Sequence, residues 1–243
     1  MKIRSHVRCM TTLCLGLAGI SAASAQEFFS TEHPDRLFTI GVRAGFNTSN
    51  RTITSSSLPG LYHHESWGTG FDFGATVGIN IRDYLAIQPG VFFEARYGRN
   101  VIMGDLTSES GAPYEYAVAA KRDSYNLTIP VMAQFSFNLS DAIRWQVEAG
   151  PYLQILFSSK VKPREEFSAD PSQAPDILPS RASGADFGLK FGTGLLFDRH
   201  WYLGIHYLAG LTNAWKERQM GAGISQSYGG HAKAWTFTVG YDF

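Results

Sequence analysis

Cysteine is almost absent from the chain, and both cysteines, Cys9 and Cys14, lie within the first 25 residues. The remainder therefore has no disulfide, no thiolate nucleophile and no cysteine metal site. Long apolar runs are missing as well. The apolar run at 13–20 is too short for a membrane-spanning helix, which needs about 20 residues. Charged residues make up only 17% of the chain and sum to zero. This balance disfavours a nucleic-acid partner, which calls for a strong basic excess.

The first 25 residues have the pattern of a secretory signal peptide. Lys2, Arg4 and Arg8 precede the short apolar run, and the small residues at 23–25 form a signal peptidase site. We expect cleavage before Gln26, which leaves residues 26–243 as a single domain. Cleavage removes three basic and no acidic residues, so the formal charge falls from zero to about −3.

The last ten residues, 234–243, alternate strictly in polarity. Side chains of a β-strand point alternately to opposite faces, so one face carries Trp235, Phe237, Val239, Tyr241 and Phe243, and the other carries Thr236, Thr238, Gly240 and Asp242. The first face suits hydrocarbon and the second suits a wet interior. A strand in lipid needs partners for all its backbone groups, so this pattern predicts a closed transmembrane barrel.

The same period of two occurs in eight segments. They are 37–47, 70–81, 85–96, 125–139, 143–157, 186–195, 201–212 and 234–243. An even number is typical of bacterial single-chain barrels, so the sequence predicts an all-β fold: an eight-stranded antiparallel up-and-down transmembrane β-barrel. Prolines at 89, 130 and 151 each remove a ladder hydrogen bond, and we expect bulges or kinks there.

The connections between these segments alternate in length. Tight turns are predicted at 82–83, 140–142 and 198–200, and long loops at 48–66, 98–122, 158–183 and 213–231. Outer-membrane barrels place short turns in the periplasm and long loops outside the cell. The loop at 158–183 is rich in proline and is expected to be mobile. Interfacial girdles are expected from aromatic residues near strand ends, namely Trp67, Tyr84, Tyr97, Trp201, Trp215 and Trp235.

A soluble lipocalin-like barrel has the same period and is the structural alternative. Such a barrel would bury its apolar face and carry charges on its outside. Here the polar face consists mainly of Gly, Thr, Asn, Gln and Ser, with few lysines. This composition favours the membrane barrel.

Several short segments resemble the PorT-like outer-membrane β-barrel family of Bacteroidota. They lie at 41–47, 86–91, 125–131, 149–153 and 207–213, and the Gln-Pro-Gly and Ile-Pro pieces are more specific than alternation alone. The resemblance implies an eight-stranded barrel in the outer membrane of a Gram-negative bacterium. It implies little about activity, although the family's namesake is associated with protein secretion, because fold kinship does not carry a role across.

Charged side chains recur on the face predicted to point inward. They are Arg43, Asp72, Glu94, Arg96, Arg144, Glu148, Asp186, Lys190 and Asp242. The interior of an eight-stranded barrel is just wide enough for its own side chains, so we expect a structural charge network and no large channel. Arg43 is expected near Asp72 or Asp242, and Arg144 near Glu148 or Asp186.

An enzyme is not expected. His206, with Ser136 and either Glu148 or Asp186, contains the residue types of a hydrolytic triad, but nothing in the sequence fixes their spacing. The segment 63–65, His-His-Glu, lacks a third spaced ligand and is interpreted as a solvated loop, not a metal site. We therefore expect no catalytic residues, no metal and no cofactor.

The sequence thus predicts an outer-membrane barrel with a structural or protein-interaction role, in secretion or envelope assembly, acting through its long extracellular loops or its periplasmic rim. The alternative is a narrow transport or small-ligand-binding barrel. Expected partners are outer-membrane lipid, the barrel assembly machinery during insertion, and another envelope protein.

Overall fold

Eight long strands pair into one closed antiparallel barrel. The computed structural model describes residues 28, 30–52, 54–56, 61–107, 113–164, 182–216, 218–220, 224–226 and 228–243. We number the barrel strands in chain order: β1 Phe38–Arg51, β2 Leu61–Arg82, β3 Leu85–Thr107, β4 Pro113–Asn138, β5 Ile143–Arg164, β6 Ala185–Phe197, β7 Trp201–Gly210 and β8 Ala232–Asp242. The predicted eight-stranded antiparallel barrel is confirmed. The predicted leader, 1–25, lies outside the described residues.

Each strand pairs with its neighbour in the chain, and β8 closes the barrel on β1. The closing register runs from Gly41 opposite Asp242 to Arg51 opposite Ala232. The turn between β6 and β7 is tight, with Asp198 and Arg199 at positive φ values of 47° and 62°. Two successive left-handed residues fit a turn that matches the twist of the flanking strands. The three short connections, at 83–84, 139–142 and 198–200, follow every second strand of an antiparallel barrel, so they lie together at one end.

The two faces of the wall differ sharply in polarity. Large apolar side chains on the outer face stay exposed, among them Phe73 at 52% and Val239 at 56%. Polar neighbours on the inner face are buried, with Asp72 at 5% and Thr238 at 4% exposed. The wall therefore has an apolar exterior and a polar core, the reverse of a soluble barrel. No helix in the described parts of the chain has the length and apolar character to cross a membrane.

Strands β2 to β5 extend far beyond the predicted segments. The predicted loop at 98–122 is mostly wrong, because its backbone continues as a β3–β4 hairpin up to Thr107 opposite Pro113. Residues 158–164, also predicted as loop, belong to β5, and the segment 63–65 lies in β2. These stretches lack a regular alternation of polarity, so period two does not reveal them. The proline-rich residues 165–181 lie outside the described part of the chain.

The prolines do not produce bulges, which were one of the two irregularities predicted for them, and the local kinks stay a prediction. Pairing skips 129–130 on the β3 side and 131–132 on the β5 side, and it resumes in the same register on both. A proline removes one donor without adding a residue, so the ladder is interrupted but not shifted. Register shifts occur instead between Ser66 and Thr69, between Asn80 and Arg82, and between Tyr125 and Asn126.

Trp215 does not belong to an outer girdle. It is only 4% exposed, clusters with Ala214 and Ala232, and lies under the guanidinium of Arg122, with 4.3 Å between the ring centre and Cζ. The stacking with Arg122 and the burial explain why this tryptophan departs from the prediction. Other aromatic residues predicted for the girdles are exposed on the outer surface, namely Trp67, Trp201 and Trp235.

Candidate functional site

The inward side chains form a polar core that begins at the end with the short turns. Arg43 of β1 reaches Asp242 of β8, with 2.6 Å between Nη1 and Oδ1. The same guanidinium lies 4.5 Å from the ring centre of Tyr202. Both charged groups are buried, so the pair neutralises charge inside the wall at the seam where the barrel closes.

Glu148 of β5 occupies the next level. Its carboxylate accepts hydrogen bonds from Tyr202 Oη at 2.9 Å and from Gln134 Nε2 at 3.3 Å. His206 Nε2 lies 3.0 Å from the second oxygen. Lys190 is buried at a similar level, with Nζ 4.8 Å from the ring centre of Phe92. The negative charge is therefore held by three neighbours from β4 and β7, which is typical of a satisfied buried carboxylate.

The level above is built around Glu94 and Arg96 of β3. Their Oε2 and Nη2 atoms lie 2.5 Å apart, and Gln154 Nε2 donates to the same Glu94 oxygen at 3.1 Å. Gln154 also donates to Thr128 Oγ1 at 2.9 Å. On the other side, Asn47 Nδ2 donates to Asp72 Oδ1 at 3.5 Å. These contacts join β3, β4 and β5 on one side of the interior and β1 and β2 on the other.

Asp186 of β6 is held separately, near the end with the long connections. Tyr152 Oη donates to its Oδ2 at 2.8 Å, and Thr212 Oγ1 donates to its Oδ1 at 2.6 Å. Every charged residue predicted to point inward, except Arg144, is buried in the described structure. The side chains that bind them include Tyr202 and Asn47, which the prediction did not place among the site residues. Tyr202 had a signal in the sequence, because it shares a period-two face with His206.

Arg144 differs from the expectation. Its guanidinium donates two hydrogen bonds to Asp83, at 2.9 Å to Oδ1 and 2.7 Å to Oδ2. Both side chains are only partly buried, at the end with the short turns. The expected partners, Glu148 and Asp186, lie further along the barrel and bind other groups. Arg144 therefore belongs to the rim and not to the internal network.

A cavity of about 400 Å³ opens at the same rim. Its walls include Arg36, Asp83, Gln88, Arg144, Gln146 and His200. The described interior above it is nearly filled, and the space beside Lys190 and His206 measures about 20 Å³, enough for a single water. The barrel thus has a polar vestibule at one end and a packed middle.

The residues considered for catalysis do not form a triad. His206 contacts Glu148 and Tyr202, whereas Ser136 Oγ accepts a hydrogen bond from Gln146 Nε2 at 3.4 Å. The His-carboxylate pair therefore lacks an adjacent serine nucleophile among the contacts seen here. In the described part of the chain, no group of three or more His, Cys, Asp or Glu side chains is placed to hold a metal ion.

A closed antiparallel barrel with an apolar exterior and a packed polar interior defines a transmembrane β-barrel of the outer-membrane type. Comparison with family models agrees, because residues 24–216 match the outer membrane protein beta-barrel domain. The chain belongs to this family. The protein is accordingly located in the outer membrane of a Gram-negative bacterium.

Similar solved structures include three small barrels. One is Ail, the attachment invasion locus protein of Yersinia pestis, in complex with the heparin analogue sucrose octasulfate. It is 12% identical to this chain, and the alignment covers 86% of this chain and 100% of Ail with a TM-score of 0.36. OprG from Pseudomonas aeruginosa is 12% identical, with coverages of 88% and 99% and a TM-score of 0.45. Neisserial surface protein A is 13% identical, with coverages of 85% and 96% and a TM-score of 0.41. A search of curated proteins finds no match. The family match, not these distant similarities, carries the assignment.

Proposed function

We propose that the protein is a non-conducting, non-enzymatic barrel that acts as an interaction protein through a sheet projecting outside the cell. The supporting observation is the unequal length of the strands. Strands β2 to β5 contain 22, 23, 26 and 22 residues, whereas β6 to β8 contain 13, 10 and 11. A tilted strand needs only about 9–11 residues to cross the membrane. About half of each long strand therefore extends past the bilayer.

The projecting halves form one continuous sheet. Leu61 of β2 pairs opposite Gly104 of β3, and β3 pairs with β4 up to Thr107. Arg164 of β5 pairs opposite Ala119 of β4. A four-stranded sheet anchored in a barrel holds its surface residues in fixed positions, which favours specific recognition over a set of flexible loops.

The packed interior supports the non-conducting part of the proposal. Ion pairs and hydrogen bonds connect β1, β3, β5, β7 and β8 across the lumen, and Tyr152, Tyr202 and Met132 fill the space between them. An eight-stranded barrel has room for little more. The His206–Glu148 contact serves this network, which favours a structural role over catalysis.

A trimmed barrel tests the interaction role. Residues 102–118 are replaced by Asn-Gly, which closes the β3–β4 hairpin directly above the pair Val101 and Ala119. We expect the trimmed protein to reach the outer membrane and to keep its heat-modifiable mobility on gels, because the barrel itself is untouched. In-cell crosslinking should yield a discrete adduct with the full protein and lose it with the trimmed one. The same adduct from both proteins would contradict the proposal.

A narrow transport or small-ligand barrel is the second candidate, and the vestibule of about 400 Å³ favours it. A cavity of this size matches the volume of small-molecule sites. Its mixture of arginine, aspartate, glutamine and histidine would suit a polar ligand. Uptake of small polar solutes into liposomes that contain the barrel would support this candidate, and impermeable liposomes would count against it.

Within the family, we infer that the protein belongs to the PorT-like group of Bacteroidota and acts in secretion or envelope assembly, after insertion by the barrel assembly machinery. The Gln-Pro-Gly segment at 88–90 and the Ile-Pro pair at 129–130 support this inference. Deletion of the gene should then reduce secretion or disturb the envelope, and complementation by the trimmed barrel should fail. Normal secretion and a normal envelope in the deletion strain would contradict the role.

A further inference from the structure

Three lysines lie together on the outer surface of β4 and β5. Lys121 of β4 pairs opposite Lys162 of β5, and Asp123 pairs opposite Lys160. Paired positions on adjacent strands lie about 5 Å apart, so like charges in one row repel one another. This arrangement calls for a negatively charged partner.

A bulge in β5 places two of these lysines on the outside. Below the bulge, Asn126 pairs opposite Leu156; above it, Tyr125 pairs opposite Ser158, so Phe157 is an inserted residue. Even-numbered residues below the bulge, such as Gln154, are buried in the interior, whereas Lys160 and Lys162 are exposed. One extra residue inverts the alternation of a strand, and bulges recur where a side chain is re-aimed.

The described surroundings of the lysines contain one carboxylate. Lys121 Nζ lies 3.9 Å from Asp123 Oδ1, and its side chain is 59% exposed. The same ammonium lies 5.8 Å from the ring centre of Tyr97. Asp123 offsets one of three lysine charges, so the cluster of Lys121, Lys160 and Lys162 keeps a net positive charge.

The cluster lies immediately above the lipid-facing aromatic residues. Tyr97 and Tyr125 meet edge to face with 6.5 Å between ring centres, and Phe93 stacks on Tyr125 at 6.1 Å. Tyrosine is enriched at the membrane interface. Lys121 is four residues beyond Tyr125, about 10 Å higher for a tilted strand. This height corresponds to the headgroups of the outer leaflet.

We propose that Lys121, Lys160 and Lys162 form a binding site for the phosphate groups of an anionic glycolipid in the outer leaflet. Lysine binds phosphate as a point charge, and three ammonium groups match a headgroup with more than one phosphate. The cluster lies on the same outer face as the lipid-facing aromatic residues, so a phosphate carried by a lipid reaches it while the acyl chains contact the wall below. The proposal rests on the outer-membrane location and is independent of the interaction role.

Native mass spectrometry of the purified full-length protein in detergent tests the site. The probes are bisphosphorylated lipid A and fully dephosphorylated lipid A. We expect the bisphosphorylated lipid to bind and the dephosphorylated lipid to bind far more weakly. The combined variant K121Q/K160Q/K162Q should bind the bisphosphorylated lipid about 100-fold more weakly, since each basic residue near an anionic surface strengthens binding roughly fivefold.

Lys233→Gln is the matched control. Lys233 lies on β8, three strands from β5 and four strands from β4 around the barrel, opposite Asn50 of β1. This variant should bind the lipid as the unmodified protein does. Heat-modifiable mobility of the combined variant on gels shows whether it is folded, and single substitutions replace it if it is not. Equal affinity of the lysine variants and the unmodified protein would overturn the proposal. Equal binding of the two lipids, or binding of inorganic phosphate alone as tight as that of the bisphosphorylated lipid, would also overturn it.

Discussion

Arg43 Nη1 and Asp242 Oδ1 lie 2.6 Å apart, and this ion pair connects the first strand of the barrel to the last. Arg43 pairs opposite Gly240 in the register. Its side chain passes over this glycine and reaches the carboxylate of Asp242, the next inward-facing residue of β8. Both side chains are nearly inaccessible to solvent. The pair therefore secures the seam that closure of the barrel creates, in a place where an unpaired charge is costly.

Arg43→Met should lower the free energy of unfolding by about 3–5 kcal/mol, because it leaves Asp242 buried without its partner. The measurement is urea unfolding in detergent micelles, followed by tryptophan fluorescence. Arg43→Met combined with Asp242→Leu removes both charges and should recover much of the loss. Equal destabilisation by the single and the double variant would show that the charge pairing is not what stabilises the seam.

Gly240→Val should also destabilise the seam, for a steric reason. A Cβ atom at position 240 would lie 2.7 Å from the backbone oxygen of Val42 and 2.8 Å from Arg43 Nη1. Overpacking of this kind costs about 1–3 kcal/mol. Gly98→Val is the control, because a Cβ there meets no heavy atom of the described residues within 4 Å. Similar unfolding midpoints for the two variants would rule out the steric explanation.

Val77→Arg tests the orientation of the wall. Val77 is 40% exposed on the outer face of β2, opposite Ile40 of β1. An arginine in the lipid-facing band should cost about 2–4 kcal/mol of folding free energy. Ala142→Arg, in the exposed turn between β4 and β5, should have little effect. Refolding into lipid vesicles is the measurement, and equal tolerance of both substitutions would mean that Val77 does not face hydrocarbon.

Alternation of polarity was enough to predict the eight strands and the two faces of the wall. Within the membrane, hydrocarbon requires an apolar side chain at every second position. The alternation of polarity therefore identifies β1 and β8 directly from the sequence. In the proposed arrangement the projecting halves of β2 to β5 lie outside the hydrocarbon, so the same physics does not act on them. The β3–β4 hairpin was therefore predicted as a loop.

Contacts between strands were harder to predict than the strands. The partner of Arg144 depends on the stagger of neighbouring strands, which alternation does not encode, and the structure places Asp83 there instead of Glu148 or Asp186. The bulge at Phe157 is equally hidden, because a single inserted residue only inverts the pattern beyond it. The contact between β1 and β8 was easier to predict, because the first and last strands of a closed barrel must meet. This explains why Asp242 was among the expected partners of Arg43.

Single-channel recording in planar lipid bilayers tests the central claim most directly. The claim is that paired charges and packed side chains close the lumen, so that the protein acts through its outer surfaces. We predict that the unmodified protein, inserted and folded, gives no steady conductance. A conducting porin added to the same bilayer serves as the positive control. Steady, large single-channel currents from the unmodified protein would contradict the account and favour the transport barrel.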